Sequence, residues 1–140
     1  MASKGALFGM ALGLGGLLLL GSRQAAVSQQ NGDAERGRYL VNHVAMCIQC
    51  HTPREPDGRL DRRKLLEGGS IPIESPYPDQ VWGFEAPQLK GLPGWEVEDF
   101  VTLLTTGRRP DGRSPRPPMP PFRLSEEDAR AIVAYLNSLE

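Results

Sequence analysis

The stretch Cys47-Ile48-Gln49-Cys50-His51 constrains this chain more than any other. Two thiols separated by two residues, with an imidazole directly after the second, form the attachment pattern for a c-type haem. Each thiol can add to one vinyl group of the porphyrin, and the spacer matches the separation of the vinyls. His51 then falls beneath the iron as its proximal ligand. Two other chemistries use such a pair. A redox dithiol also has Cys-x-x-Cys, but it has no need of the following histidine and sits after a strand. A structural zinc ion needs four ligands. The chain offers Cys47, Cys50, His43 and His51, all within nine residues, and no second cysteine pair. Haem attachment is the favoured reading, with redox dithiol and zinc as the alternatives.

A haem changes what 140 residues must supply for themselves. The sequence holds 13 prolines and 16 glycines and few aromatics, so its own core is modest. A porphyrin at the centre provides the missing apolar mass. The net charge of −1 argues against nucleic acid as a partner, which would call for a basic stripe. No cysteine is left over for a disulfide framework.

The first residues read as an address. Lys4 precedes an apolar run from Ala6 to Leu20, and Arg23 and polar residues come after it. A run of about 15 residues suits a signal h-region and is short for a membrane span, which needs about 20. Ala26-Val27-Ser28 is a small-x-small cleavage candidate. Residues 1–28 are therefore read as a signal peptide or N-terminal anchor, and 29–140 as one domain. In the anchored alternative, residues 6–20 attach the chain to the cytoplasmic membrane, with Gly13, Gly15 and Gly16 as a helix-packing face. Export agrees with the motif, because c-type haem is attached outside the bacterial cytoplasm. The location expected is the periplasm.

Periodicity predicts three main helices. The first runs from Ala34 to Met46 behind Asp33 as N-cap, with Leu40, Val44, Val41 and Tyr39 on its apolar face. Gly37 within it costs about 1 kcal/mol against alanine, which points to close approach of another helix. The second spans Glu96–Thr106, with a stripe of Val97, Phe100, Val101 and Leu104 and a stop at Gly107. The third spans Glu126–Leu139, opened by a capping-box pattern from Ser125 to Asp128, with Ala129, Ile132, Val133, Leu136 and Leu139 buried. No alternating strand pattern appears, so the fold class is all-α with long loops. Residues 52–86 show no periodicity, and eight charged residues fall between Arg54 and Lys64. This stretch is read as a haem-flanking loop with a wet outer face and a short helical turn around Arg62 to Leu66, and nothing in it nominates a catalytic residue.

A haem iron with one histidine needs a second axial partner or an open position. Met1 and Met10 lie in the export segment, and Met46 and His43 sit close before Cys47, on the proximal side. That leaves Met119, inside Pro117-Pro118-Met119-Pro120-Pro121. Four prolines fix φ near −65° and hold an extended, stiff segment. The rival role for a lone methionine is core filler. His51 also needs its other ring nitrogen satisfied, and the Pro87 carbonyl is the candidate acceptor. Trp82 and Trp95 are read either as donors to a haem propionate or as core packing. Arg113 or Arg116 is read either as a propionate partner or as a solvated side chain. Arg108, Arg109, Arg113, Arg116 and Arg123, against Asp111 alone, suggest a positive docking rim for an acidic partner.

With these residues in place the chain resembles the class I cytochromes c, mono-haem proteins with His/Met ligation. The likeness runs from Gly32 to Leu139 on Gly37, the Cys47–His51 motif, the Ala86-Pro87-Gln88-Leu89-Lys90-Gly91-Leu92 segment, Met119 and Tyr135. It implies a cytochrome c fold wrapped around one covalent haem c. It also implies that Pro87 accepts from the haem histidine, and that Gly37 packs on Tyr135 and Leu136. The cofactor-binding set is then Cys47, Cys50, His51, Met119, Pro87 and Trp95, with His51 and Met119 on the metal. Two departures stand out: the stretch between His51 and Pro87 is longer than in compact members, and the arginine-rich ligand loop is not a general feature. The function implied is single-electron carriage between respiratory partners such as a dehydrogenase, a quinol-oxidising complex or a terminal oxidase. The first alternative is a cytochrome subunit fixed in a membrane-associated oxidoreductase. The second is a haem gas sensor or haem enzyme. The chain itself is not expected to be an enzyme.

Overall fold

The computed structural model describes residues 33–139. The address assigned to residues 1–28, and the start of the domain at 29, lie outside the described residues. Three helices carry the fold, as the periodicity predicts. Helix α1 covers residues 33–39 and widens into a π-turn at Leu40–Val44. Helix α2 is one turn, Ile48–His51; α3 is Val97–Thr106; α4 is Glu126–Asn137. No helix among the described residues is long and apolar enough to cross a membrane.

The π-turn corrects the expected face of the first helix. One extra residue in the turn rotates the chain beyond it. Leu40 and Val41 are buried and Val44, at the end of the turn, is 51% exposed; Tyr39, ahead of the turn, is 58% exposed on the regular part of the helix. Gly37 sits where α1 crosses α4. A Cβ at this position would land on the Ala131 carbonyl oxygen and 2.8 Å from the Tyr135 Cβ. The packing partners are therefore Ala131 and Tyr135; Leu136, one residue further round α4, is not among the atoms that a Cβ meets first.

Helices α3 and α4 pack on each other and supply most of the core. Phe100, Val101 and Leu104 of the predicted stripe are buried, Leu103 joins them, and Val97 at the first turn stays 40% exposed. Gly107 ends α3 with φ 67°, its N–H donating to the Leu103 carbonyl. In α4 the Ser125 hydroxyl accepts from the Asp128 N–H at 3.1 Å. The return half of the capping box is replaced by a tertiary contact: the Asp128 carboxylate accepts from Arg36 Nε at 2.6 Å and ties α1 to α4. Ala131 and Tyr135 are buried beyond the predicted set, and Leu139 is only half-buried, past the helix end at Asn137.

The stretch unreadable by periodicity folds into two excursions. The first, after Thr52, closes through an Arg54–Leu60 bridge and the Asp61 N–H to the Pro53 carbonyl, and ends in a 3₁₀ turn at Arg62–Lys64. The second leaves and returns through a minimal antiparallel ladder, β1 (Gly69–Ser70) against β2 (Glu85–Ala86). The expectation of no strand is thus corrected by two residue pairs, too few to leave an alternating pattern. Between them, residues 71–84 form a flap, closed at its base by the Ile71 N–H to the Phe84 carbonyl at 2.9 Å. Leu66, fully buried at φ 60°, is the node beneath both excursions. Its N–H donates to Thr52 Oγ1, and its carbonyl accepts from Leu89 and Lys90.

Candidate haem site

Helix α1 ends by handing the chain through Met46, at φ 55°, into the turn of α2 that carries Cys47, Cys50 and His51. His51 is held from two sides. Its Nδ1 donates to the Pro87 carbonyl at 2.8 Å, and its own carbonyl accepts from the Gly68 N–H at 2.9 Å. Gly68 has φ 87°, and a Cβ there would stand 2.9 Å from the Ala86 carbonyl, so only glycine fits. The Nδ1 bond leaves Nε2 as the ring nitrogen available for ligation.

These residues line one side of a cavity of about 930 Å³, within the size range of cofactor sites. Cys47, Cys50, His51 and Pro87 lie on its wall together with Met119 and Trp95. All six predicted cofactor residues thus meet around one space, although they span residues 47–119. Leu89, Phe100, Leu104 and Ile132 give it an apolar floor. No disulfide joins Cys47 and Cys50. Burial pushes the Cys47 thiol up to about 11, with the neighbouring Cys50 adding to the effect. A redox dithiol needs the opposite, a depressed thiol. Burial lowers the His51 pKa and the Pro87 carbonyl works against it, so the imidazole is favoured in its neutral, ligating form. Among the described residues no cluster of three or more His, Cys, Asp or Glu side chains is placed to hold a bare metal ion.

The remaining candidates separate. His43 is exposed and stacks on Tyr39 at 5.6 Å. Trp82 lines the cavity, but its indole N–H donates to the Ile73 carbonyl at 2.9 Å, which corrects the propionate role for that residue. Trp95 packs edge-on against Phe100 at 5.3 Å, with the Arg109 guanidinium 5.9 Å above its ring. Arg109, Arg113 and Arg116 all reach the cavity wall. Arg113 is already engaged by Asp111, with Nε donating at 2.8 Å, and that pairing holds the Asp111 carboxyl below the usual carboxylate range. Sequence reasoning named Arg109 only as part of the docking rim and not as a cavity residue; its one signal was its place in the arginine run. The 52–86 stretch was read as haem-flanking, and its flap does wall the cavity, through Ile71, Trp82, Gly83 and Phe84.

Residues 32–136 match the family described as cytochrome c oxidase, cbb3-type, subunit III. The chain belongs to this family of cytochrome c domains. It is an electron-transfer domain of the kind that carries covalently bound haem c. The cytochrome c domain is 33% identical over 115 residues to a diheme cytochrome c-type protein of Cereibacter sphaeroides, covering 75% of this chain and 35% of that one. It is 30% identical over 119 residues to the fructose dehydrogenase cytochrome subunit of Gluconobacter japonicus, covering 78% and 22%. It is also similar to the cytochrome c subunit of a quinone alcohol dehydrogenase of Gluconobacter oxydans, at 31% over 140 residues, covering 91% and 29%. The chain therefore spans no more than 35% of the length of these curated relatives.

Proposed function

We propose that the chain holds a single haem c, bound through thioethers at Cys47 and Cys50, with His51 and Met119 on the iron, and carries single electrons. The observation that supports this most is the meeting of the Cys47–His51 turn and the Met119 loop around one cavity of sufficient size. When bound, the haem supplies a one-electron couple, and methionine ligation favours its reduced state and raises the potential.

This chain's residues do the rest. Pro87 fixes the His51 ring and its basicity through the 2.8 Å bond to Nδ1. The apolar floor excludes water, and Trp95 packs against one side. Arg109 and Arg116, both on the cavity wall, would hold the propionates, since Arg113 is paired with Asp111. With His51 and Met119 both on the iron, no position would remain for substrate or oxygen, and the chain would act as a carrier rather than as an enzyme.

The partner proposed is a dehydrogenase. Cytochrome subunits of fructose, alcohol and gluconate dehydrogenases are among the relatives, which favours a subunit receiving electrons from a catalytic chain over a free carrier. The Arg108–Arg123 segment is the face offered to an acidic partner. We place the domain in the periplasm, exported by residues 1–28 or anchored through 6–20. Co-purification with a larger redox chain supports the subunit; recovery as a lone soluble protein supports the free carrier.

Carbon monoxide tests the closed iron. The reduced protein binds it poorly if Met119 holds the sixth position. Rapid, complete binding overturns the carrier reading in favour of a sensor or enzyme.

A further inference from the structure

Five of the seven residues from Pro115 to Pro121 are prolines, so this stretch has only two amide donors, Arg116 and Met119. A segment so poor in N–H groups can hardly anchor itself by donating; a hydrogen bond that ties it to the rest of the chain must come from a donor elsewhere to one of its carbonyls. Its own Met119 N–H makes a local bond to the Arg116 carbonyl at 3.2 Å. Among the described residues one backbone donor enters from outside. The Gly83 N–H donates to the Pro117 carbonyl at 2.7 Å, two residues before Met119.

Gly83 belongs to the flap, and the flap is itself held. Its base is the β1–β2 ladder, and Trp82 locks the limb next to Gly83 by donating to the Ile73 carbonyl. A second pin, Ser75, ties its far end through bonds to Tyr77 and Gln80. The flap thus presents one fixed donor to a loop with only two of its own.

We propose that Gly83 is a positioning residue for the iron ligand: its amide straps the proline bracket and slows departure of the Met119 thioether. The inference rests on the assignment of Met119 as ligand. For the sulfur to leave, the bracket must swing out, and the Gly83–Pro117 bond must break with it. The coupling is reciprocal, so displacing the sulfur releases the Gly83 amide.

Two substitutions separate the amide from the side chain. The φ of Gly83 lies outside the left-handed region, and a Cβ there would stand 3.4 Å from the Pro117 oxygen and 3.5 Å from Ile71 Cδ1, ordinary contact. Gly83→Ala therefore keeps the donor, and Gly83→Pro removes it.

The measurement is the rate at which imidazole displaces Met119 in the ferric protein, read by loss of the sulfur-to-iron charge-transfer band. Gly83→Ala is expected within about twofold of the wild type and Gly83→Pro about five- to tenfold faster, the worth of one net hydrogen bond. Equal rates in the two variants overturn the proposal. Should Gly83→Pro fail to take up haem, the wild type decides alone. Its Gly83 amide is expected to be protected from hydrogen exchange and to lose that protection in saturating imidazole; protection that does not change overturns the proposal. A wild type without the charge-transfer band is a different failure, that of the Met119 assignment, and this inference falls with it.

Discussion

His51 Nδ1 and the Pro87 carbonyl oxygen stand 2.8 Å apart across 36 residues of chain. That bond spans both excursions, and the carbonyl of His51 is caught in turn by Gly68. The imidazole is thus oriented by backbone atoms alone, from a segment with almost no regular structure of its own.

Because the acceptor is a main-chain carbonyl, the side chain at 87 does not make the bond. Pro87→Ala keeps the acceptor and adds freedom to the unfolded chain, so it should cost about 0.4–1 kcal/mol of stability while leaving the midpoint potential in place. Denaturant titration and redox titration of the same protein check this. A displaced potential with unchanged stability contradicts it.

Gly37→Ala should do the reverse, damaging the fold without touching the cavity. A Cβ at 37 collides with α4 backbone at Ala131, and the helices must separate to admit it. A cost of about 1–3 kcal/mol is expected, the usual range for overpacking. Thermal unfolding reads it, and a change below about 0.5 kcal/mol, typical of surface sites, contradicts it.

Acid should weaken the fold through its paired carboxylates. The Arg63 hydrogen bond holds Asp61 below the usual range, and the Arg130 hydrogen bond does the same for Glu98. Their folded pKa values lie below the unfolded ones, so the stabilisation is complete above the ordinary carboxylate range. It is lost as pH falls from about 4 downward. Equilibrium unfolding between neutral pH and pH 3 checks this, and Asp61→Asn should flatten the decline. An unaltered profile in that variant contradicts the assignment to Asp61.

Much of this fold was legible because helices announce themselves. Phe100, Val101 and Leu104 repeat at helical spacing, and Gly107 stops α3 where glycine should. The Cys47–His51 motif was equally plain, since its chemistry is local. Residues 52–86 were not legible, for a physical reason. Their order comes from single backbone bonds to distant partners, such as Leu66 to Leu89 and Gly83 to Pro117, and such bonds carry no side-chain signature. Trp82 was left between two roles because a tryptophan cannot reveal whether its N–H meets a cofactor or a carbonyl of its own loop. The outward turn of Val44 was hidden because a π-turn adds a residue without changing the apolar count.

The single-haem reading has a direct mass signature. The exported protein, denatured and weighed intact, should carry one haem that survives denaturation, and the same spectrum gives the cleavage site. Cys47→Ser with Cys50→Ser should lose that mass. An unmodified polypeptide contradicts covalent attachment.

The ligation of the iron by Met119 is the claim on which electron carriage depends, and the optical spectrum and midpoint potential of Met119→Ala test it most directly. The account predicts a high-spin or ligand-exchangeable ferric iron and a lower potential than the wild type. A spectrum and potential identical to the wild type would contradict it.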